Sequence, residues 1–274
     1  DIPQPRHSAL ALEWFDNLLN KTKTTLHSQF EQYRISEALM TVYTTFRDEF
    51  SSWLLEIIKP AYGQPIDKQT YETTLRLFEE LMQLLHPFMP FITEEVWQNL
   101  KERKKGESIM VSVISENKPY DETILRAFEY VKEVIVGIRN IRKQNNIAFK
   151  DALSLHVKKS DRYPVTFESV IQKMGNMETV ETVNDAPQGS WSFIVDTVEY
   201  FIPAAGQVDT TELKTKLEAE LLYTQGFLKS VTAKLSNERF VNGAPEQVVA
   251  NERKKQADAE AKIKAIETQL AQLK

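Results

Sequence analysis

The sequence contains no cysteine among its 274 residues. Disulfide bonds and cysteine-ligated metal sites are therefore excluded, and a cytoplasmic location is favoured. No apolar run approaches 18 residues, so we predict no transmembrane helix and no membrane partner. The chain opens with "DIPQPRHSAL", which lacks the basic and apolar regions of a signal peptide and also lacks a methionine. We therefore expect a piece of a longer cytoplasmic protein.

The residue patterns of common active sites are also lacking. The eight glycines are scattered and form no phosphate-binding loop, and no Gly-x-Ser-x-Gly motif occurs. The four histidines show no metal-ligand spacing. Carboxylates are plentiful, but they fall on predicted helix faces, where a solvated surface role is the simplest interpretation. We therefore predict no catalytic residue, no metal and no cofactor in this chain.

The net charge of −5 argues against a generally basic nucleic-acid-binding protein. The charge is unevenly distributed, however. Residues 209–274 carry 11 Lys+Arg against 10 Asp+Glu, a net of +1, and the remaining residues carry 23 against 29, a net of −6. A local positive face is therefore still possible on the C-terminal segment.

Residues 1–150 are predicted to form a helical bundle. The clearest helix has apolar residues at steps of three or four and ends at Pro60. These residues are Leu39, Val42, Phe46, Phe50, Trp53 and Ile57. Further helices are predicted over about 8–30, 68–86, 93–101 and 121–144. The bundle therefore has about five helices.

The string "HPFMPFITEEVWQNL", residues 86–100, predicts a rigid elbow between two helices. Pro87 should end the first helix and push His86 out of helical geometry. Thr93 is a good N-cap residue for the second helix. Ile92 and Trp97 have the spacing of a hydrophobic staple.

The pattern changes after residue 150. Residues 151–206 are predicted to form a small α/β module, with a strand at "LSLHVK", a short helix at "FESVIQKMG" and a hairpin that turns at Asp196 and Thr197. Residues 207–274 contain two runs with heptad-type apolar spacing, joined by a Gly/Pro-containing loop. The first run is Leu217, Leu221, Thr224, Leu228, Val231 and Leu235; the second is Val249, Glu252, Gln256, Ala259, Ile263, Ile266, Leu270 and Leu273. We predict an antiparallel two-helix coiled coil, so that the fold is mainly α.

Two strings carry a resemblance to a known family. "FRDEFSSWLLEIIKP" followed by "LLHPFMPFITEEVWQNL" resembles the anticodon-binding bundle of class I aminoacyl-tRNA synthetases for valine, isoleucine and leucine. "KLSNERFVNGAPEQVVANERKK" is similar to the C-terminal coiled-coil arm of the bacterial valyl enzymes, whereas the isoleucine enzymes commonly end in a cysteine-rich zinc module. The resemblance covers nearly the whole chain, but the HIGH and KMSKS motifs of the catalytic domain are missing from it.

The resemblance implies a role in binding tRNA. The bundle would bind the anticodon stem-loop of valine tRNA and the arm would lie against the tRNA elbow. A catalytic domain and an editing domain of the same polypeptide would then attach valine in an ATP-dependent reaction, and the parent protein would be a monomeric valine–tRNA ligase. The fragment alone is expected to be inactive.

Candidate tRNA-binding residues follow from charge and aromatic character. In the bundle they are Phe46, Trp53, Arg139, Arg142, Lys143 and Lys150. In the arm they are Lys234, Arg239, Phe240, Arg253, Lys254 and Lys255. Core packing is the simpler interpretation of Phe46 and Trp53, and solvent exposure that of the charges. The alternative function is a structural or partner-docking coiled coil that does not bind RNA.

Overall fold

The computed structural model of the protein describes residues 2–204 and 210–272; within the second range, the side chains of residues 210–213, 216, 238, 239, 269 and 272 are not described. The described chain is mainly helical and includes a small mixed sheet. It divides into two units, unit 1 (residues 1–129) and unit 2 (residues 130–274). The boundary between the two units, after residue 129, falls within one long helix. The division into three domains at residues 150 and 206 remains a prediction.

Unit 1 is helical. Its elements are α1 (Arg6–Glu31), α2 (Ile35–Thr44), a π-helical segment (Thr45–Leu54), α3 (Leu55–Ile58), α4 (Lys68–Leu85), α5 (Pro90–Leu100), a 3₁₀ turn (Ile109–Val111) and the start of α6 (Glu122–Gln144). The helices predicted from apolar spacing are present. The long second helix, however, passes through ten residues of π-helix between α2 and α3.

Aromatic rings fill the centre of unit 1. The ring of Trp14 stacks on that of Phe128, with centroids 3.7 Å apart, and Phe15 meets Phe50 edge-on. Beside the apolar core, the ammonium of Lys23 pairs with the carboxylate of Glu80, and both side chains are buried. The hydroxyl of Ser115 accepts from Lys23 and donates to Glu80, so the buried pair is hydrogen-bonded to a third polar group.

The elbow differs from its predicted form. Helix α5 begins at Pro90, with no side-chain cap, because a proline in the first turn needs no hydrogen-bond acceptor and already has a helical φ. Thr93 is therefore not the N-cap; it is buried inside the first turn, where its hydroxyl donates to the Met89 carbonyl. The staple is absent, since Ile92 is exposed while Trp97 is buried. His86 also keeps helical backbone angles before Pro87.

Unit 2 contains a four-stranded sheet in the order β2-β1-β4-β3. Its elements are the rest of α6, β1 (Leu153–Lys158), a 3₁₀ turn (Val165–Phe167), α7 (Glu168–Gly175), β2 (Met177–Val183), β3 (Ser190–Val195) and β4 (Val198–Pro203). β1 and β2 are parallel, and α7 lies in the connection between them; β4 is antiparallel to both β1 and β3. The predicted strand, short helix and hairpin are confirmed.

The hairpin turn is made by Asp196 and Thr197, whose φ angles are 42° and 74°. Two consecutive positive φ values match the right-handed twist of the flanking strands, although a β-branched residue rarely adopts this conformation. Strand β2, which the sequence analysis missed, is the edge strand beside β1. Its sequence, METVETV, is mostly polar and only partly buried, so it carries little of the apolar alternation that reveals a strand.

Unit 2 ends in a helical hairpin of α8 (Thr210–Leu235), the short α9 (Glu238–Gly243) and α10 (Glu246–Gln272). Helices α8 and α10 are antiparallel neighbours, since Glu220 pairs with Lys262 while Lys234 lies near Glu252. Every position of the two predicted apolar runs is buried or half-buried, except Leu273, which lies outside the described residues. Helix α9 was predicted as loop.

At its base the hairpin contacts the sheet. Leu217 and Ile266 form a buried pair between the two helices, and Trp191 of β3 packs against this pair together with Leu221 and Leu270. The start of the hairpin is therefore fixed to the sheet by apolar contacts within unit 2.

Two glycines on helices of unit 2 provide a matched test of this packing. A methyl group on Gly137 of α6 would lie 2.3 Å from a ring carbon of Phe193, whose ring stacks on Tyr200. A methyl group on Gly226 of α8 would meet nothing within 4 Å. We expect Gly137→Ala to destabilise the protein by about 1–3 kcal/mol through overpacking. We expect Gly226→Ala to be neutral or to stabilise it by about 0.5–1 kcal/mol. Urea unfolding of both variants measures the difference, and equal stabilities would contradict this close packing of α6 on the sheet.

Candidate nucleic-acid interface

Phe46 and Trp53 both lie in the π-helical segment of unit 1. The ring of Phe46 stacks at 6.1 Å from Phe50 and at 6.2 Å from Phe78, and Phe50 is buried. Phe46 and Trp53 are themselves half-buried. Phe46 therefore takes part in core packing, and only the outer part of each ring is available to a ligand.

Arg142, predicted to contact phosphate, is instead a buried structural residue. Its side chain donates to the carbonyls of Ala148, Asp151, Gly175 and Asn176. These bonds use every N–H of the guanidinium, since Nε donates once and each terminal nitrogen donates twice. Burial lowers its pKa, and the nearby charge of Asp151 opposes that shift. With no donor left and 4% of the residue exposed, Arg142 is withdrawn as a phosphate ligand.

Arg142 nevertheless positions the loop that follows α6. Its bonds to Ala148 and Asp151 hold the backbone on both sides of Phe149, and Asn176 donates to the Phe149 carbonyl at 2.6 Å. The Phe149 side chain remains 58% exposed, with the guanidinium of Arg142 5.6 Å from its ring centre. Lys150 is the next residue and is also exposed.

The loop therefore presents an aromatic ring beside a cation on a fixed backbone. The two other cationic candidates of α6, Arg139 and Lys143, are exposed as well. Sequence reasoning identified the charges but not Phe149. The available signal was a lone aromatic next to Lys150, at the end of a helix and just before a polar turn.

The arm candidates fall into two groups. Lys234 and Lys255 surround the carboxylate of the buried Glu252, with nitrogen–oxygen distances of 3.8 Å and 2.7 Å. Arg253 and Lys254 are exposed on the same helix, α10. Phe240 of α9 is half-buried, and the side chain of Arg239 lies outside the described residues. The charges of Lys234 and Lys255 are thus partly compensated within the hairpin.

The described residues contain no group of three or more His, Asp or Glu side chains that could hold a metal ion. In the same part of the chain, every helix is too short or too polar to cross a membrane.

Replacing Arg142 tests its structural role. Arg142→Ala leaves several carbonyls without donors, and each such loss costs about 1–3 kcal/mol, so we expect the free energy of unfolding to fall by at least about 2 kcal/mol. Arg142→Lys should restore little of this stability, because one ammonium group cannot reach both the loop after α6 and the carbonyls of Gly175 and Asn176. The matched control is Lys143→Ala on the exposed neighbour, expected within about 0.5 kcal/mol of the parent. Denaturant unfolding measures all three, and a fully stable Arg142→Ala protein would refute the structural assignment.

Glu252 gives the hairpin a defined response to acid. The hydrogen bond from Lys255 lowers the pKa of Glu252, and the charge of Lys234 acts in the same direction. Its contribution to stability is therefore present above the ordinary glutamate pKa of about 4.3 and is lost as the pH falls through the lower folded-state pKa. Thermal melts of the helical signal between pH 7 and pH 3 should show a smaller acid-induced fall in Tm for Glu252→Gln than for the parent. The control is Glu267→Gln, an exposed change on the same helix, whose melts should follow the parent.

Known proteins match the chain in both units. Residues 13–157 match the family model of the anticodon-binding domain of tRNA ligases, and residues 209–274 match that of the valyl-tRNA synthetase tRNA-binding arm. A valine–tRNA ligase of Phocaeicola vulgatus is 54% identical over 275 residues, covering 100% of this chain and 31% of the relative. That of Parabacteroides distasonis is 50% identical, covering 99% and 31%.

A more distant relative shows the same relationship. The valine–tRNA ligase of Enterococcus faecalis is 33% identical over 285 residues, covering 100% of this chain and 32% of the relative. The chain thus spans about a third of the length of these curated relatives, in their C-terminal part. With an anticodon-binding domain followed by a tRNA-binding arm, the chain belongs to the valyl-tRNA synthetase family of tRNA ligases.

Proposed function

We propose that this chain is the tRNA-binding part of a valine–tRNA ligase. The observation that carries the proposal is the order of its two matches, an anticodon-binding domain followed by a tRNA-binding arm. In this proposal a catalytic and an editing domain of the same polypeptide, acting in the cytoplasm as a monomer, attach valine to the bound tRNA with ATP. The present chain supplies affinity and selects the tRNA.

The α8–α10 hairpin is proposed to be a coiled-coil arm that lies against the tRNA elbow. Buried positions recur every seven residues, at 217, 224 and 231 of α8 and at 252, 259 and 266 of α10. This is the repeat of a coiled-coil seam. Because Trp191 packs against the base of the hairpin, the arm would keep a fixed direction relative to the sheet of unit 2.

Phosphate contacts of the arm are assigned first to Arg253 and Lys254. Both are exposed; Lys254 lies near enough to Asp258 for its charge to act on that carboxylate, whereas Lys234 and Lys255 share the negative charge of the buried Glu252. Exposed cations outside a salt bridge release counterions from RNA when they bind, and that release supplies most of the sequence-independent affinity. Because residues 1–208 have a net charge of −6, phosphate contacts must be confined to local groups of exposed cations.

The loop after α6 is proposed as a second contact, with Phe149 packed on an unstacked base or a ribose and Lys150 near a phosphate. Exposed aromatic rings bind nucleobases by stacking, and a backbone held by Arg142 avoids the cost of ordering the loop on binding. Trp53 and the outer part of Phe46 are kept as the candidate base-reading surface of the bundle.

Titration of fluorescent valine tRNA with the purified chain at several salt concentrations tests the proposal. Arg253→Ala with Lys254→Ala should weaken binding to valine tRNA and to a non-cognate tRNA about equally. The salt slope should fall by up to about 0.7–0.9 for each phosphate that the variant no longer neutralises.

Phe149→Ala should weaken binding by about 1–3 kcal/mol without changing the slope, because stacking releases few counterions. Trp53→Ala should instead reduce the preference for valine tRNA.

The matched control is Lys262→Ala, which removes a lysine of α10 that pairs with Glu220. It should leave the salt slope close to that of the parent. If the parent chain shows no preference for tRNA over double-stranded DNA, or if Arg253→Ala with Lys254→Ala changes neither affinity nor slope, the arm does not bind tRNA. The partner-docking interpretation of the hairpin would then take its place.

A further inference from the structure

Unit 1 exposes four large apolar side chains, close together in sequence, that the proposed function does not use. Met110, Val111, Val113 and Ile114 follow one another along the connection between α5 and α6; we call them the apolar strip. Met110 is 75% exposed, Val111 77% and Val113 88%, and Ile114 is also exposed. Single exposed hydrophobic residues are normal, but a run of this kind marks an interaction surface.

The strip is held rigidly from beneath. The Glu94 carboxylate accepts from the Ser108 hydroxyl and from the Ile109 backbone N–H. The Gln83 amide donates to the Ser112 hydroxyl and to the Val113 carbonyl. Helices α4 and α5 thus fix the backbone while the apolar side chains remain in solvent, and little conformational entropy would be lost on docking.

The hydrogen bonds of Glu94 also connect the segment before the strip to the first turns of α5. Glu94 belongs to that helix, and Phe91 and Ile92 precede it by three and two residues, with Phe91 89% exposed. Met89, at the elbow, is exposed as well. The strip and these three residues together are called the apolar face.

The chemistry of the apolar face does not suit RNA. Residues 109–117, "IMVSVISEN", contain no lysine or arginine and include one glutamate. Glu94 and Glu95 add negative charge in the first turns of α5. A surface that meets a phosphate backbone needs cations, so this one is suited to another protein surface.

We propose that the apolar face is covered by the part of the same polypeptide that precedes the matched region in the longer relatives. This inference rests on the proposed function, because it takes the parent to be a ligase of their length. The chain covers 31% of those relatives, so most of the polypeptide lies outside it.

The beginning of the chain also favours this occupant. Gln4 donates to the Thr70 hydroxyl of α4 at 3.1 Å, so a preceding domain would be tethered to the unit that carries the apolar face. Tethering replaces a bimolecular encounter by an intramolecular one, and an interface between domains of one chain needs only about 600–1,500 Å².

Hydrogen exchange tests the docking directly. Peptides that cover residues 109–116 are compared between this chain and the full-length polypeptide that contains it. We expect their amides to exchange at least tenfold more slowly in the full-length protein. Val111→Asp with Val113→Asp should abolish that protection. It should leave the Tm of the 274-residue chain unchanged, because both side chains are exposed there.

The control is Val165→Asp, the same type of substitution at an exposed valine of unit 2. It should leave the protection of residues 109–116 intact. Equal exchange in the two proteins would overturn the proposal. Protection that disappears on dilution would assign the face to a second copy, and protection that requires added tRNA would assign it to RNA; either result overturns it. Binding of tRNA by the 274-residue variant is measured separately. Unchanged affinity there, with or without docking, leaves the proposed function standing.

Discussion

The guanidinium of Arg142 is the interaction on which the candidate RNA-binding loop depends. One side chain joins the last turn of α6 to the carbonyls on both sides of Phe149 and to the chain that enters β2. A buried arginine would ordinarily need a carboxylate partner, because burying a charge is costly. Here carbonyl dipoles replace most of that partner, and the charge of Asp151 acts beside them. The loop backbone is therefore fixed while Phe149 and Lys150 remain exposed to a ligand.

The helices, strand β1 and the β3–β4 hairpin were predicted because their apolar residues repeat at 3.6 or 2 positions. The described positions of the two heptad runs in α8 and α10 are buried or half-buried. The failures have physical causes. Thr93 looked like a cap because its residue type favours one, but Pro90 starts the helix earlier. The mostly polar edge strand β2 had no apolar alternation to reveal it.

Site residues were harder to predict than the fold. A sequence shows that Arg139, Arg142, Lys143 and Lys150 are cations, but it does not show which carbonyls face them. Arg142 differs from its neighbours only in the direction of its side chain, which is set by α7 and β2 far along the chain. Conversely, Phe149 was not identified from the sequence, because its place beside Arg142 depends on the bonds that hold the backbone on both sides of it.

The π-helical segment Thr45–Leu54 constrains how this protein can vary. The turns of a π-helix are wider than those of an α-helix, and the buried residues Phe50 and Leu54 of this segment lead directly to Ile57 and Ile58, which are buried in the core. Deleting one residue there would favour ordinary α-helical turns and would rotate the following apolar residues away from the core. Chain-length changes at this point should therefore be tolerated poorly.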